Sequence, residues 1–170
     1  KQCLEEERPV PEALHQRMRD LLLQYVVVGG MPHIVDQFIK EKNVAFVREE
    51  QKLLIRSFED DMVKYAQGAD KSRIRECFES IPKQLARGNK KFQFSLIKKT
   101  ARSNQYVGSL QWLEDTGLIR RCYNLTLPEL PLEGNACHDK FKVYMADTGL
   151  FVGMLEDGTE RDILQGDLFG

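Results

Sequence analysis

Seven cationic residues, Lys83, Arg87, Lys90, Lys91, Lys98, Lys99 and Arg102, crowd one part of the chain. Between residues 71 and 113 there are 10 Lys/Arg against 2 Asp/Glu, whereas residues 1–70 hold 10 against 13 and residues 114–170 hold 5 against 11. A basic middle between acidic flanks is suited to an anionic partner, because summed charge steers and holds polyanions. Lys98, Lys99 and Arg102 suit phosphates, and the amides of Asn104 and Gln105, which follow directly, suit adenine edges. Lys90 and Lys91 precede this group, and Lys140 and Lys142 alternate with apolar residues further on. These nine residues form the candidate nucleic-acid contact. The competing reading is that Lys and Arg solvate a helical surface. Gln111 and Glu114–Asp115 weigh against a strong DNA reader.

Other constellations carry less. The sequence has no GxxxxGK[ST] phosphate cradle and no GxSxG elbow, and Gly29-Gly30 follows a helical pattern rather than a strand. His15, His33 and His138 lack ligand spacing, and Cys137-His138 is an adjacent pair in an expected loop. Glu59-Asp60-Asp61 reads as a solvated helix face with an Asp60–Lys64 pair rather than a metal site. Glu5-Glu6-Glu7 reads as a solvated terminus. Asp147-Thr148-Gly149 reads as a loop at an active site or, with less assumption, as a helix cap. No catalytic residue, metal ligand or cofactor is expected in these residues.

Apolar periodicity defines the elements that position the basic residues. Pro9 and Pro11 open a first helix with Leu14, Met18, Leu21, Tyr25 and Val28 as its stripe. Gly29-Gly30 stops it, and Pro32 starts a second helix with Ile34, Val35, Phe38 and Ile39 inward. Asn43 caps a third, whose stripe is Val47, Leu54, Phe58, Met62 and Tyr65. The sequence 67–70 (QGAD) marks a subdomain boundary. Ser72 caps the next helix, with Ile74, Phe78, Ile81 and Leu85 inward and a kink or tightened turn expected at Pro82. Lys91–Phe94 alternates as a short strand, Ser95 caps a helix over Leu96–Ala101, and Ser103 caps another with Tyr106, Leu110 and Leu113 in the core. Gly117 ends it. Leu118–Leu125 and Lys140–Met145 then form an antiparallel pair, and Asp147 or Thr148 starts a last helix before a polar tail. Trp112 lies off the core stripe, placed to seal this region against the N-terminal helices or another domain.

The expected fold is therefore mainly α with a small antiparallel sheet, a three-helix N-terminal piece followed by a winged helix-turn-helix. The boundaries read as 1–68 for the helical lid-like piece, 69–156 for the winged helix and 157–170 for a tail. Cys3, Cys77, Cys122 and Cys137 show no bridge spacing and core-like neighbours, which suits reduced, buried thiols in the cytoplasm. No signal peptide or membrane-spanning run is present in the sequence. The start on Lys1 and the close on Asp167-Leu168-Phe169-Gly170 read as the ends of an excised piece.

Five ordered segments carry a resemblance: 25–32 (YVVVGGMP), 58–65 (FEDDMVKY), 80–85 (SIPKQL) with 89–92 (NKKF), 112–119 (WLEDTGLI) and 141–150 (FKVYMADTGL). The chain resembles, over nearly its whole length, the C-terminal region of bacterial and archaeal predicted P-loop ATPases of the AAA superfamily. In these a domain of unknown function follows the ATPase core. The resemblance implies a helical lid-like element around the GGMP segment and then a winged helix. It also implies an ATPase core before Lys1, where ATP and Mg would bind, and a nuclease-like segment after residue 170. This sequence lacks both, and none of the matching segments is catalytic. The expectation is a non-catalytic unit that couples nucleotide state to a macromolecular partner, with DNA the candidate and no membrane. The alternative is a protein-interaction or homo-oligomerisation module that binds no nucleic acid. An enzyme in its own right would need ATPase or nuclease turnover by these residues alone.

Overall fold

The computed structural model describes residues 2–6, 8–65 and 70–166. After a short α1 (Gln2–Glu5), the helices α2 (Glu12–Val28), α3 (Pro32–Glu41) and α4 (Val44–Tyr65) run in succession. They are followed by α5 (Asp70–Leu85), a 3-10 turn at Phe94–Leu96, and α6 (Ser103–Asp115). Two antiparallel strands, β1 (Ile119–Leu125) and β2 (Ala136–Met145), complete the central part before α7 (Thr148–Gly153) and α8 (Thr159–Gln165). The protein is mainly helical with one small antiparallel sheet. No helix among the described residues is long and apolar enough to cross a membrane.

Local chemistry sets most of the helix ends. Asn43 Oδ1 accepts from the Ala45 N–H at 3.0 Å, an N-cap for α4. Pro32 occupies the first turn of α3, where its missing N–H costs nothing. At the end of α6 the Gly117 N–H donates to the Glu114 carbonyl (2.9 Å) and the Leu118 N–H to the Leu113 carbonyl (3.1 Å). With Gly117 at φ +78° this is a Schellman motif, and it feeds the chain straight into β1. Asp147 caps α7, its Oδ1 accepting from the Leu150 N–H at 2.9 Å.

α4 is the shared spine. Its N-terminal half holds Val47 against Val28 and Ile34, and its C-terminal half sends Met62 into the main core with Phe78, Leu110 and Ile119. α5 and α6 cross in that core and the hairpin closes it through Phe141 and Val143. The chain then returns: Val152 of α7 and Ile163 of α8 pack on Leu23 and Val27 of α2. The boundary expected at 67–70 falls largely on residues 66–69, outside the described residues.

Several expectations need correcting. The expected stripe of α2 faces solvent: Leu14, Met18, Leu21 and Tyr25 are exposed, and only its last member, Val28, is buried, with Leu23 and Val27. Apolar residues occupy both faces of this helix, so periodicity alone cannot choose the buried one. Ile39 and Tyr65 are likewise exposed, at the ends of their stripes. Ser72 lies inside α5 rather than at its cap, donating to Glu76 Oε1 at 3.1 Å. Pro82 falls in the last turn of α5, where the helix is about to end.

Lys91–Phe94 is not a strand. Only the Phe92 N–H reaches β2, at the Phe141 carbonyl (2.9 Å), while the Gln93 N–H is taken by Gln84 Oε1 (2.7 Å). A ladder cannot extend past that side chain. The helix expected over Leu96–Ala101 is the 3-10 turn followed by further turns, with bonds spanning three residues such as Ile97 N–H to the Phe94 carbonyl at 3.0 Å. Phe94 and Ile97 thereby share a side and pack on the main core. Ser103 is the first residue of α6, and Arg102 takes the cap position, within the one-residue ambiguity of helix ends. β2 begins earlier than expected, at Ala136, so Cys137-His138 is on a strand and not in a loop. The expected tail contains α8.

Candidate nucleic-acid interface

The basic residues sit on the surface built by the 3-10 turn, α6 and the hairpin. Lys90, Lys98, Lys99, Arg102, Lys140 and Lys142 are exposed and Lys91 is half-buried. None of the seven carries an ion pair among the described residues, in contrast to Arg75, which bridges Glu59 (3.3 Å) and Glu79 (2.7 Å). Their charge therefore stays available to a ligand.

The geometry divides the nine predicted residues into three groups. Lys91, Lys140 and Lys142 line one concavity of about 330 Å³ together with Tyr123 and Tyr144. Strand alternation accounts for part of this grouping: Lys142 pairs with Cys122 and Tyr144 with Arg120 on the outward face, whereas Tyr123 pairs with Phe141 on the side that faces the core. Lys98 and Gln105 line a second recess, about 280 Å³, beside Arg73, Glu76 and Tyr106. Lys90, Lys99, Arg102 and Asn104 are exposed outside both. Gln105 does not point freely outward, because its Oε1 accepts from the Arg102 N–H at 3.3 Å.

The acids that weighed against this surface are largely engaged. Glu114 accepts from the Arg121 backbone N–H (3.0 Å) and from Arg121 Nε (2.6 Å), and Gln111 and Glu114 both meet the Arg121 guanidinium. Burial raises the Glu114 carboxyl, but these Arg121 contacts outweigh it and hold the group below its ordinary range. On the inner side, Tyr106 Oη donates to Glu76 Oε2 at 2.5 Å, which together with burial pushes its hydroxyl up to about 12.

A larger groove, about 860 Å³, runs between α6 and the hairpin. Ser103, Val107 and Gln111, spaced by four on the outer face of α6, form one wall, and Arg121, Tyr123 and His138 form the other. Sequence reasoning did not place Tyr123 in the site, and it weighed His138 only as a metal or catalytic candidate and set it aside. The alternation of β1 places Tyr123 on the same side as Arg121, but the opposition of His138 depends on a bulge. Tyr123 pairs with Phe141 and Asn124 with Cys137, so residues 138–140 loop out and His138 comes within 5.2 Å of the Tyr123 ring.

Other predicted groups fall elsewhere. Cys122 is exposed on the outer face of the sheet, correcting the expectation of a buried thiol, whereas Cys77 is buried and its thiol is pushed up to about 12 by that burial. All four cysteines are free. Among the described residues no group of three or more His, Cys, Asp and Glu side chains could hold a metal ion. No ion pair joins Asp60 to Lys64, whose ammonium lies over the Tyr65 ring at 4.8 Å. Trp112 is half-buried, packs against the main core and borders a recess with Phe58 and Tyr65 of α4. Asp147 caps α7 and also accepts from the Gly30 N–H through Oδ2 at 2.6 Å. This carboxylate ties the GGMP segment to the ADTGL segment.

These elements define a mainly helical domain in which a basic surface is carried by a helix and an antiparallel hairpin. The chain belongs to the family described as domain of unknown function (DUF8612), whose match covers residues 19–161. No curated protein and no solved structure matches it.

Proposed function

We propose that these residues are a non-catalytic docking unit of an AAA-type ATPase, a winged-helix-like region that couples the nucleotide state of an ATPase core to DNA. The order α5, turn, α6, β1, β2 is that of a winged helix whose first paired helix is reduced to a 3-10 turn. The observation that carries the DNA arm is the set Lys90, Lys91, Lys98, Lys99, Arg102, Lys140 and Lys142, all exposed but the half-buried Lys91 and none in an ion pair among the described residues. Lys98, Lys99 and Arg102 supply phosphate contacts at one end and Lys91, Lys140 and Lys142 at the other. ATP and Mg belong to the ATPase core and not to this surface. α4 and the Asp147–Gly30 contact give the coupling a physical route, since one helix enters both cores and one carboxylate joins two distant segments.

The test is a salt series of DNA binding by fluorescence anisotropy. Reversing the charge of Lys98, Lys99 and Arg102 to Glu is expected to flatten the slope of log K against log salt by about 2–3 and to weaken binding at low salt at least tenfold. No binding by the unaltered protein at low salt would remove DNA as the partner.

A second reading, self-association, is favoured by α2. Leu14, Met18, Leu21, Leu22 and Tyr25 are 48–59% exposed on the side opposite Leu23 and Val27. A helix that is apolar on both faces is normally covered on both. Light scattering is expected to show a dimer that dissociates when Met18 and Leu21 are changed to Glu, exposed positions at which the fold has little to lose. A monomer at all concentrations would end this reading.

A further inference from the structure

The groove between α6 and the hairpin points to a more specific ligand than duplex DNA. This inference rests on the DNA reading above and narrows it. We propose that single-stranded DNA binds here, its unpaired bases stacking on Tyr123 and His138 and its backbone crossing Lys91, Lys140 and Lys142.

Three observations carry it. The first concerns α6. A helix that reads a duplex must stand proud enough to enter a major groove about 12 Å wide. In α6 the side formed by Ser103, Val107 and Gln111 is instead one wall of a concavity whose opposite wall is the hairpin. The element that would brace such a helix, residues 94–101, is a 3-10 turn and further turns.

The second is an aromatic platform. Tyr123 is half-buried, with its ring 5.7 Å from Phe141 and 5.2 Å from the exposed His138. The Arg121 guanidinium lies 5.7 Å from the same ring and is itself fixed by Glu114 and Gln111. A ring held on several sides loses little freedom when a base stacks on it. Aromatic stacking tolerates every base, since each has a π-face.

The third is continuity of charge with this platform. The smaller concavity shares Lys91, Tyr123 and Phe141 with the groove and adds Lys140, Lys142 and Tyr144. A strand running from the groove past Lys91 and Tyr123 onto the outward face of the hairpin, where Lys142 and Tyr144 lie, meets aromatic rings and ammonium groups that have no ion pair among the described residues. This combination holds single strands without sequence preference. Asp139 is the one acid on these two walls. α6, by contrast, offers a duplex no cation between Arg102 and Asp115.

The experiment is fluorescence anisotropy with one mixed sequence of about 15 nucleotides, a length that spans a typical single-strand site, as single-stranded DNA, duplex DNA and RNA. The single strand is expected to bind at least tenfold more tightly than the duplex at equal salt. Tyr123→Leu and His138→Ala are each expected to weaken the single strand about fivefold or more, as loss of one stacked base does, while changing the duplex less than twofold. The salt slope should be unaltered in both variants, because neither removes a phosphate contact. His138 is exposed, so His138→Ala decides the matter if Tyr123→Leu fails to fold. Equal or tighter duplex binding, or variants that leave the single strand unaffected, would overturn this inference while leaving the DNA reading standing. RNA bound tenfold more tightly than DNA would also overturn it. Absence of binding to all three would remove the DNA reading itself.

Discussion

Replacing Arg48 with Met is expected to cost about 3–5 kcal/mol of folding stability, the range for leaving a buried charge network without its cation. Arg48 is 5% exposed on α4, yet its partners lie more than a hundred residues away at the end of α7. Its guanidinium donates to the carbonyls of Val152 (2.5 Å), Leu155 (2.5 Å) and Glu156 (3.0 Å), and its Nε lies 3.8 Å from Oε2 of the buried Glu160. A cation here answers the negative end of α7 and satisfies the Leu155 carbonyl. It adds a second bond to the Val152 and Glu156 carbonyls, which already accept from the Leu155 and Thr159 N–H groups. Met keeps the apolar stem but leaves the Leu155 carbonyl without its donor and takes the second bond from the Val152 and Glu156 carbonyls. It also leaves the buried Glu160 carboxylate with Arg161 as its only ion-pair partner among the described residues, at 3.9 Å. Lys should recover part of the loss, since one ammonium cannot reproduce the planar fork. Equilibrium unfolding in urea, followed by circular dichroism, reads the change as a lower midpoint at constant slope. A loss below about 1 kcal/mol would show that α7 and α8 do not depend on this contact.

The second large effect is expected where the GGMP and ADTGL segments touch. A Cβ at Gly149 would lie 2.3 Å from the Val28 carbonyl oxygen and 2.9 Å from Gln51 Nε2. Backbone on one side and a buried side chain on the other leave no easy escape, because Gln51 is held by donating to the Val27 carbonyl at 2.8 Å. Gly29 has φ +77°, and a Cβ there would lie 2.3 Å from Asp147 Oδ1 and 2.7 Å from the Gly149 nitrogen. Gly149→Ala and Gly29→Ala are each expected to cost about 3 kcal/mol or more, from overpacking and, at Gly29, backbone strain as well. The two share one contact, so the double variant should cost much less than the sum of the singles. Gly30→Ala is the control: its Cβ would meet Asp147 Oδ2 at an ordinary 3.6 Å, and a change below about 1 kcal/mol is expected. Additive losses at 29 and 149 would mean that the two glycines act separately.

The candidate site was legible in part. Its charges could be read directly, because ten Lys/Arg against two Asp/Glu in 71–113 is a property of composition. That the site's cations carry no ion pair among the described residues depends on where the acids of other elements come to lie. Packing alone decides that Lys91, Lys98, Lys140 and Lys142 line recesses while Lys90, Lys99 and Arg102 do not. Glu114 counted against the site in one dimension and is bound to Arg121 in three. The groove was not legible, since His138 reaches Tyr123 through a three-residue bulge that carries no composition signal.

For the fold the division follows the range of the interactions. Caps and stops were determined by the sequence itself: Asn43, Pro32, Gly117 and Asp147 each act on backbone groups within a few residues. The core faces of α5 and α6 were equally readable, because their apolar residues gather on one side, with the exposed Val107 of α6 as the exception. The tertiary structure alone decided which face of α2 is buried, as both could have been. It also decided that α8 forms from a polar tail, held by Ile163 against α2. Arg48 and Gln51, polar residues in the middle of a helix, give no local sign that they satisfy the ends of α7 and α2. Open carbonyls are local, but the side chains that answer them are found only when distant segments pack.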